Sequence, residues 1–183
     1  EAQALGYAEA DPTFDVEGID AAHKLTILAS IAFGIPLQFE RVYTEGISQI
    51  SAQDVSFASE LGYYIKHLGI ARRTNKGVEL RVHPTLISKK QLLANVNGVM
   101  NAVITEGKPV GESVLQGEGA GPGPTSSSLL SDLLSILRGN IKYPFGISSS
   151  KRKSIKAFNN DKKRFLRNWQ DLKVKEIFTS LLF

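Results

Sequence analysis

The sequence predicts an α+β fold with a mixed or mainly antiparallel sheet that has helices on one face. Two pairs of alternating, β-rich runs support this: Tyr63 to Arg73 with Val78 to Ile87, and Val99 to Glu106 with Val110 to Gln116. Within each pair a short turn segment separates the runs, as in a hairpin. Helical patterns lie before, between and after these pairs, and such an order is typical of α+β domains.

The first helical segment carries a polar pair at the head of an apolar stripe. At about 100° per residue, Asp20 and Lys24 lie on one side, and Ile27 and Ile31 continue the stripe. Gly34 is a natural C-terminal cap. The opposite arc is also largely apolar: Ala22, Ala29 and Phe33. This pattern predicts a helix packed on several sides.

Two further helices are predicted from local signals. Ser51 and Asp54 match a variant of the capping box, which predicts a helix over about residues 52–62. A short helix is predicted over Lys89 to Val96.

The pair of Asp20 and Lys24 allows two interpretations. A solvated Asp and Lys four residues apart on a helix contribute only a few tenths of a kcal/mol. Here the stripe continues with apolar rather than polar residues. A lysine in partly apolar surroundings beside a carboxylate can exchange a proton with a substrate oxygen, so we treat Lys24 as a candidate catalytic residue.

Four acids precede this helix: Glu9, Asp11, Asp15 and Glu17. One or two acids near a helix N-terminus are ordinary capping and dipole residues. Four within nine residues exceed what capping needs. The surplus negative charge suits a site that receives an ammonium group.

The same stretch resembles the signature of homoserine dehydrogenase. It reads Ala2-x3-Gly6-Tyr7-Ala8-Glu9-Ala10-Asp11-Pro12-x2-Asp15-Val16-x-Gly18-x-Asp20-x3-Lys24. The resemblance continues through Gly139 to about Ile147. It implies an NAD- or NADP-dependent cytoplasmic oxidoreductase that interconverts L-homoserine and L-aspartate 4-semialdehyde, on the biosynthetic route to threonine, methionine and isoleucine.

The resemblance also implies roles for individual residues. Lys24 matches the catalytic lysine that donates and accepts the proton at the substrate oxygen. Glu9 and Asp20 match the substrate-binding carboxylates, and Asp15 matches a further acid of the same pocket. Gly6 matches a backbone position against the nicotinamide cofactor.

A glycine-rich run, Gly117 to Thr125, precedes a helical pattern over Ser126 to Arg138, for which Thr125 is a suitable N-cap. A glycine turn before a helix can bind phosphate. Proline occupies the place of the third glycine of the dinucleotide fingerprint, and no P-loop lysine follows. Spacing alone therefore favours a flexible connector, whereas the resemblance matches Gly119 to a cofactor-contacting glycine.

The resemblance implies that part of the enzyme lies outside this sequence. A nucleotide-binding βαβ unit would precede Gly6, and none is present. The chain begins at Glu1 without a methionine, so we expect the natural N-terminus to lie upstream. The family's sodium site and a second substrate-facing lysine belong to that upstream part. No metal site is predicted here, because the three histidines have no second ligand at metal spacing. We expect the chain alone to be inactive.

Charge divides the chain into two predicted regions. Residues 1–150 carry 12 Lys and Arg and 15 Asp and Glu, whereas residues 151–183 carry 10 and 3. We therefore predict a catalytic and dimerisation domain over residues 1–147 and a basic extension over residues 148–183. A basic helix over Asp161 to Phe183 would suit a nucleic acid or membrane surface, but a solvated or poorly ordered extension is the favoured interpretation.

Composition limits compartment and partners. The chain has no cysteine, which fits a reducing compartment. Its longest apolar stretch, Leu25 to Leu37, is too short to span a bilayer. Because a sheet covered on one face leaves the other in need of a partner, and that face forms the family's dimer, we predict a homodimer. The alternative hypothesis is a catalytically silent dimerisation or regulatory fragment of such an enzyme.

Overall fold

The computed structural model describes residues 11–139 and two short strands further along the chain. The helices of this part are α1 (Thr13–Val16), α2 (Ile19–Phe33), α3 (Ala52–Glu60) and α4 (Pro122–Leu137), with 3₁₀ turns at Phe39–Arg41 and Leu92–Asn95. The strands are β1 (Tyr43–Thr44), β2 (Tyr63–Thr74), β3 (Gly77–Ser88), β4 (Met100–Gly107), β5 (Gly111–Glu118), β6 (Arg167–Asn168) and β7 (Glu176–Ser180). Helices and a mixed sheet together confirm the predicted α+β class.

The sheet is built on the two predicted hairpins. Its strands follow the order β1-β3-β2-β7-β4-β5, and β6 pairs with β3. β2 and β3 are antiparallel from Tyr63 opposite Ser88 to Thr74 opposite Gly77, and β4 and β5 are antiparallel as well. The short strands β1 and β6 run parallel to β3, which makes the sheet mixed.

Glycines bound α2 at both ends. Gly18 precedes it with φ 75°, and Gly34 follows it with φ 64° and donates its N–H to the carbonyl of Ser30 at 3.1 Å. Both are left-handed conformations in which glycine has no Cβ penalty. The predicted C-terminal cap is therefore confirmed, and the helix start is set by a glycine turn.

One face of the sheet holds α2. Alternation along β2 and β3 directs one set of residues to that helix, and the buried cluster between them consists of Ala21, Ala22, Leu25, Ala29, Ile35, Ala71, Val78, Leu80 and Val82. Full burial of a leucine such as Leu25 contributes about 1.5–3 kcal/mol. The opposite face carries a second cluster: Leu68, Ile70, Ile87, Leu93, Ala94, Val96, Ala102 and Ile104.

The helix after the first strand segment follows its predicted cap. Ser51 accepts a hydrogen bond from the backbone N–H of Asp54 at 3.2 Å, and the Asp54 carboxylate accepts from the backbone N–H of Ser51 at 2.9 Å. This reciprocal pair is a complete capping box. The prediction for residues 52–62 is confirmed, with the helix ending at Glu60.

Three predicted segments need correction. The 89–96 helix is a 3₁₀ turn at Leu92–Asn95. α4 begins at Pro122, so Thr125 lies inside the helix and is not its N-cap, because proline at the first helical position already has helical φ. The basic helix over residues 161–183 is wrong at β6 and β7, where backbone pairing with neighbouring strands favours extended chain.

Within the part of the chain that the structure describes, none of the helices combines the length and the apolar character needed to cross a membrane.

Candidate functional site

The predicted polar pair of Asp20 and Lys24 is formed. The ammonium of Lys24 lies 2.7 Å from a carboxylate oxygen of Asp20, one helical turn earlier in α2. The Lys24 side chain is 43% exposed and that of Asp20 is 22% exposed. An exposed pair of this kind contributes little to stability, so its value lies in holding a cation at a defined place on the helix.

The stripe below this pair is open. Ile27 and Ile31 are 47% and 56% exposed, whereas the other arc of α2 is buried against the sheet. The prediction of a helix packed on several sides is therefore wrong within the described residues, which bury one arc only. The apolar enclosure expected around Lys24 is likewise only partial there.

Two acids of the motif, Asp11 and Asp15, lie just before α1 and within it. Asp11 accepts hydrogen bonds from the hydroxyl of Thr13 at 2.6 Å and from its backbone N–H at 3.0 Å. These bonds, the hydroxyl first, lower the pKa of Asp11. Asp11 therefore stabilises the start of α1. Asp15 lies inside α1, and its carbonyl accepts the N–H of Gly18 at 3.0 Å, which closes the turn into α2.

Two predicted site residues, Gly6 and Glu9, lie outside the described residues. The structure thus brings Asp15, Asp20 and Lys24 onto one continuous α1–α2 unit, and the roles of Gly6 and Glu9 stay predictions.

Gly119 lies in a different part of the fold. It follows the edge strand β5, and its N–H donates to the carbonyl of Val99 at 2.9 Å. A Cβ at this position would overlap the side chain of Asn101. A larger residue at position 119 would therefore require the Asn101 side chain to move, and the contact of Gly119 with a cofactor stays a prediction.

The glycine-rich run leads into α4 without forming a phosphate cradle. The helix begins Pro122-Gly123-Pro124, and proline has no N–H to donate. Phosphate binding at a helix start relies on free backbone N–H groups. The start of α4 therefore does not fit the phosphates of a nicotinamide cofactor.

Another lysine is more deeply buried than Lys24. Lys66, on the face of β2 opposite α2, donates to the carbonyl of Val96 at 2.8 Å and to the side-chain oxygen of Asn97 at 2.9 Å. Burial lowers the pKa of Lys66. It faces away from α2, so it does not join Lys24 in one site.

Histidines enter the site region through packing. The His23 ring lies between those of Phe14 and Phe39, with centroids 5.5 and 4.0 Å away. Beneath Gly18 lies His67, whose Nε2 is 2.8 Å from the carbonyl of Glu45. Sequence reasoning missed this contact because it joins residues far apart in the chain. Among the described residues no group of three or more His, Cys, Asp or Glu side chains is placed to hold a metal ion.

Comparison with known proteins identifies the family of this chain. The family model for homoserine dehydrogenase matches residues 1–134. The chain belongs to the homoserine dehydrogenase family.

Two relatives illustrate the match. The homoserine dehydrogenase of Pseudomonas aeruginosa is 67% identical over 144 residues, which cover 79% of this chain and 33% of the relative. That of Helicobacter pylori is 47% identical over 156 residues, covering 85% and 37%. The chain therefore spans about a third of the length of these homoserine dehydrogenases.

Solved structures agree with the fold. A homoserine dehydrogenase from Thiobacillus denitrificans superposes with a TM-score of 0.77 at 55% identity, covering 85% of this chain and 38% of that one. A hyperthermophilic archaeal homoserine dehydrogenase in complex with NADPH gives 0.57 at 28% identity, covering 75% and 38%.

Proposed function

We propose that this chain is the substrate-binding and dimerisation part of an enzyme that interconverts L-homoserine and L-aspartate 4-semialdehyde with NAD or NADP. The observation that carries the proposal is the 2.7 Å pair of Lys24 and Asp20 at the head of the open stripe of α2. Its support is the family signature in which this pair lies.

Lys24 holds the proton in this proposal. When the aldehyde is reduced, negative charge develops on its oxygen, and an ammonium directed at that oxygen stabilises the charge and donates the proton. In the reverse direction the amine accepts the hydroxyl proton of homoserine. Asp20 keeps the ammonium oriented, since the two groups are in direct contact.

The acids select the substrate. Glu9, Asp15 and Asp20 supply carboxylates to the α-ammonium of homoserine, because charge-assisted hydrogen bonds are stronger than neutral ones. Asp15 and Asp20 flank the Gly18 turn, so one rigid unit carries both. A substrate without an α-amino group would not make these charge-assisted hydrogen bonds.

A bound nicotinamide cofactor would supply the hydride. We propose that its phosphates are held by a region outside the described residues, since the start of α4 offers them no cradle of N–H groups. The exposed stripe of Ile27 and Ile31, next to Lys24, is the surface that we propose this region covers. Gly6 and Gly119 are the proposed cofactor contacts within the chain.

The proposal is tested in the complete enzyme, in which this chain is joined to a nucleotide-binding region. Lys24→Ala should lower kcat for L-homoserine oxidation by about 10²–10⁴-fold with little change in cofactor affinity. Lys76→Ala, in the exposed β2–β3 turn, is the matched control and should leave kcat unchanged. Unchanged turnover in Lys24→Ala would remove Lys24 from the mechanism.

The substrate assignment has its own test. Glu9→Ala and Asp20→Ala should raise the KM for L-homoserine, because each removes a carboxylate from the ammonium site. A change confined to the KM for the cofactor would refute the assignment.

The second candidate is a catalytically silent dimerisation or regulatory module, which the exposed apolar residues of β5, such as Leu115, would suit. Titration of L-homoserine into the chain, followed by NMR, separates the two. Shifts at Asp20 and Lys24 support the substrate site, whereas a chain that never responds to L-homoserine supports the silent module.

We also propose a homodimer formed through the sheet. Exposed apolar residues on β5, including Leu115 at 71%, support an additional covering surface. Light scattering should give twice the chain mass at micromolar concentration, and a monomer would contradict the proposal.

The biological role proposed is cytoplasmic synthesis of homoserine for threonine, methionine and isoleucine. The complete enzyme should restore growth of a bacterium that requires homoserine, and the Lys24→Ala variant should not.

A further inference from the structure

The turn between α1 and α2 rests on a histidine ring. A Cβ placed on Gly18 would lie 2.6 Å from Cε1 and 3.0 Å from Nε2 of His67, and 3.1 Å from Cγ1 of Val82. Real Cβ atoms do not approach other atoms so closely, so the backbone at Gly18 is in direct contact with the imidazole. Asp15 and Asp20 lie on either side of this contact.

The imidazole is itself held in one orientation. Its Nε2 lies 2.8 Å from the carbonyl oxygen of Glu45. A carbonyl can only accept, so Nε2 carries the hydrogen and donates it, which defines the Nε2–H tautomer. Burial lowers the pKa of His67, and the Glu45 carbonyl and the carboxylates of Glu17 and Glu45 oppose this effect only partly. The ring is therefore neutral near pH 7.

The segment that accepts this bond also holds α1. The N–H of Glu45 donates to the carbonyl of Val82 on β3 at 2.8 Å, and the N–H of Ile47 donates to the carbonyl of Val16 at 2.9 Å. Between them, a Cβ on Gly46 would lie 2.8 Å from the Cα of Glu17 and from the carbonyl oxygen of Val16. The segment therefore fills the space between the sheet and the end of α1.

These contacts form a closed circuit. It runs from His67 on β2 to the 45–47 segment, then to the α1–α2 turn, and back to the imidazole of His67. We propose that His67 is a positioning residue, whose imidazole ring supports Gly18 and the 45–47 segment and thereby fixes Asp15 of α1 relative to Asp20 and Lys24 of α2. The inference rests on the proposed function for the identity of the substrate. It assigns a role to a partly buried side chain outside the family signature.

Positioning differs in its consequences from a purely structural role. Misplacing a binding group by about 1 Å can cost about 10²-fold in rate. Loss of the ring should therefore affect recognition of L-homoserine more than it affects cofactor binding. Loss of a purely structural residue would lower stability without raising the KM for L-homoserine more than the KM for the cofactor.

Two variants isolate the hydrogen bond. His67→Leu keeps an apolar body but cannot donate, whereas His67→Gln offers a side-chain N–H to the Glu45 carbonyl. Lys66→Met is the matched control, because Lys66 is the neighbouring residue of β2 and is also buried, but it faces away from α2.

In the complete enzyme, His67→Leu should raise the KM for L-homoserine by about tenfold or more, with cofactor KM within about twofold. His67→Gln should recover most of this loss, and Lys66→Met should leave the KM for L-homoserine unchanged. Equal KM values for L-homoserine in the wild type and His67→Leu would overturn the proposal, as would an equal rise in Lys66→Met.

A second measurement needs no turnover. In this chain, amide hydrogen exchange at Gly18, Ile19 and Asp20 should be faster in His67→Leu than in the wild type or Lys66→Met, and the imidazole ¹⁵N shifts should show the Nε2–H tautomer. Unchanged exchange, or the Nδ1–H tautomer, would refute the role of His67. Absence of L-homoserine turnover in the wild type would instead refute the proposed function, and the exchange comparison would still decide whether His67 holds the turn.

Discussion

Two helices of this chain have similar apolar content but opposite surroundings. α2 buries residues such as Leu25 and Ala29 completely between itself and the sheet. α4 has no buried residue, and its leucines are all at least 39% exposed: Leu129, Leu130, Leu133, Leu134 and Leu137. The same kind of sequence therefore forms an integral helix in one place and an uncovered one in the other.

The difference shows which of the two helices is held in place by contacts within the described residues. α2 and its turn are fixed by contacts within the chain, so the geometry of Asp20 and Lys24 is defined locally. α4 presents an apolar surface whose burial requires something beyond the described residues. The candidate substrate site belongs to the first kind of region, and the predicted cofactor contact at Gly119, next to α4, belongs to the second.

Matched leucine truncations should give the largest difference in stability between the two helices. Leu25→Ala should lower the free energy of unfolding by about 2–5 kcal/mol, because it leaves a cavity beneath α2. Leu133→Ala, at an exposed position, should change it by no more than about 0.5 kcal/mol. Urea denaturation of the chain measures both values. Equal costs would mean that the two helices are packed alike.

Repeating Leu133→Ala in the complete enzyme tests whether α4 is covered there. A cost above about 1 kcal/mol there, with a small cost in the chain, would show that α4 is covered by the rest of the enzyme.

Glycine substitutions should change stability in opposite directions in the two regions. Gly18→Ala should destabilise by about 1–2 kcal/mol from its left-handed φ of 75° alone, with the His67 contact adding to this. Gly123→Ala, in the first turn of α4 and with open space around it, should stabilise by about 0.4–1 kcal/mol. Thermal unfolding of the two variants checks the signs, and a stabilising Gly18→Ala would show that position 18 does not require glycine.

The smallest expected effect is a dependence of stability on pH that originates beneath α2. Burial lowers the pKa of folded His67 below its ordinary value of 6.5, with Glu17 and Glu45 nearby. The unfolded chain then binds the proton more readily, so the contribution of His67 is complete above pH 6.5 and is lost as the pH falls towards the lower folded pKa. No histidine lies in α4 to act in this way.

Urea midpoints measured from about pH 8 to pH 5 test this expectation. Subtracting the His67→Gln curve from the wild-type curve should leave a decline only below pH 6.5. Parallel curves would show that His67 does not contribute.

Local signals predicted much of the fold. The capping box at Ser51, the glycine cap at Gly34 and the two hairpins concern neighbouring residues, and the structure confirms each. The start of α4 was missed, although Pro122 at the first helical position was an available signal. β7 could not be predicted in this way, because its pairing partners on β2 and β4 lie about 70 to 110 residues earlier in the chain.

Sequence signatures and helical periodicity depend on nearby residues, so they were enough to predict the family, the α+β class and the placement of Asp20 and Lys24 on one side of a helix. Tertiary contacts were needed to learn which arc of α2 is buried, that the backbone of Gly119 lies against the Asn101 side chain, and that His67 lies beneath Gly18. These features could not be predicted from spacing, because burial and close contact depend on which distant segments of the chain meet in the fold. Spacing along the chain carries no information about that meeting.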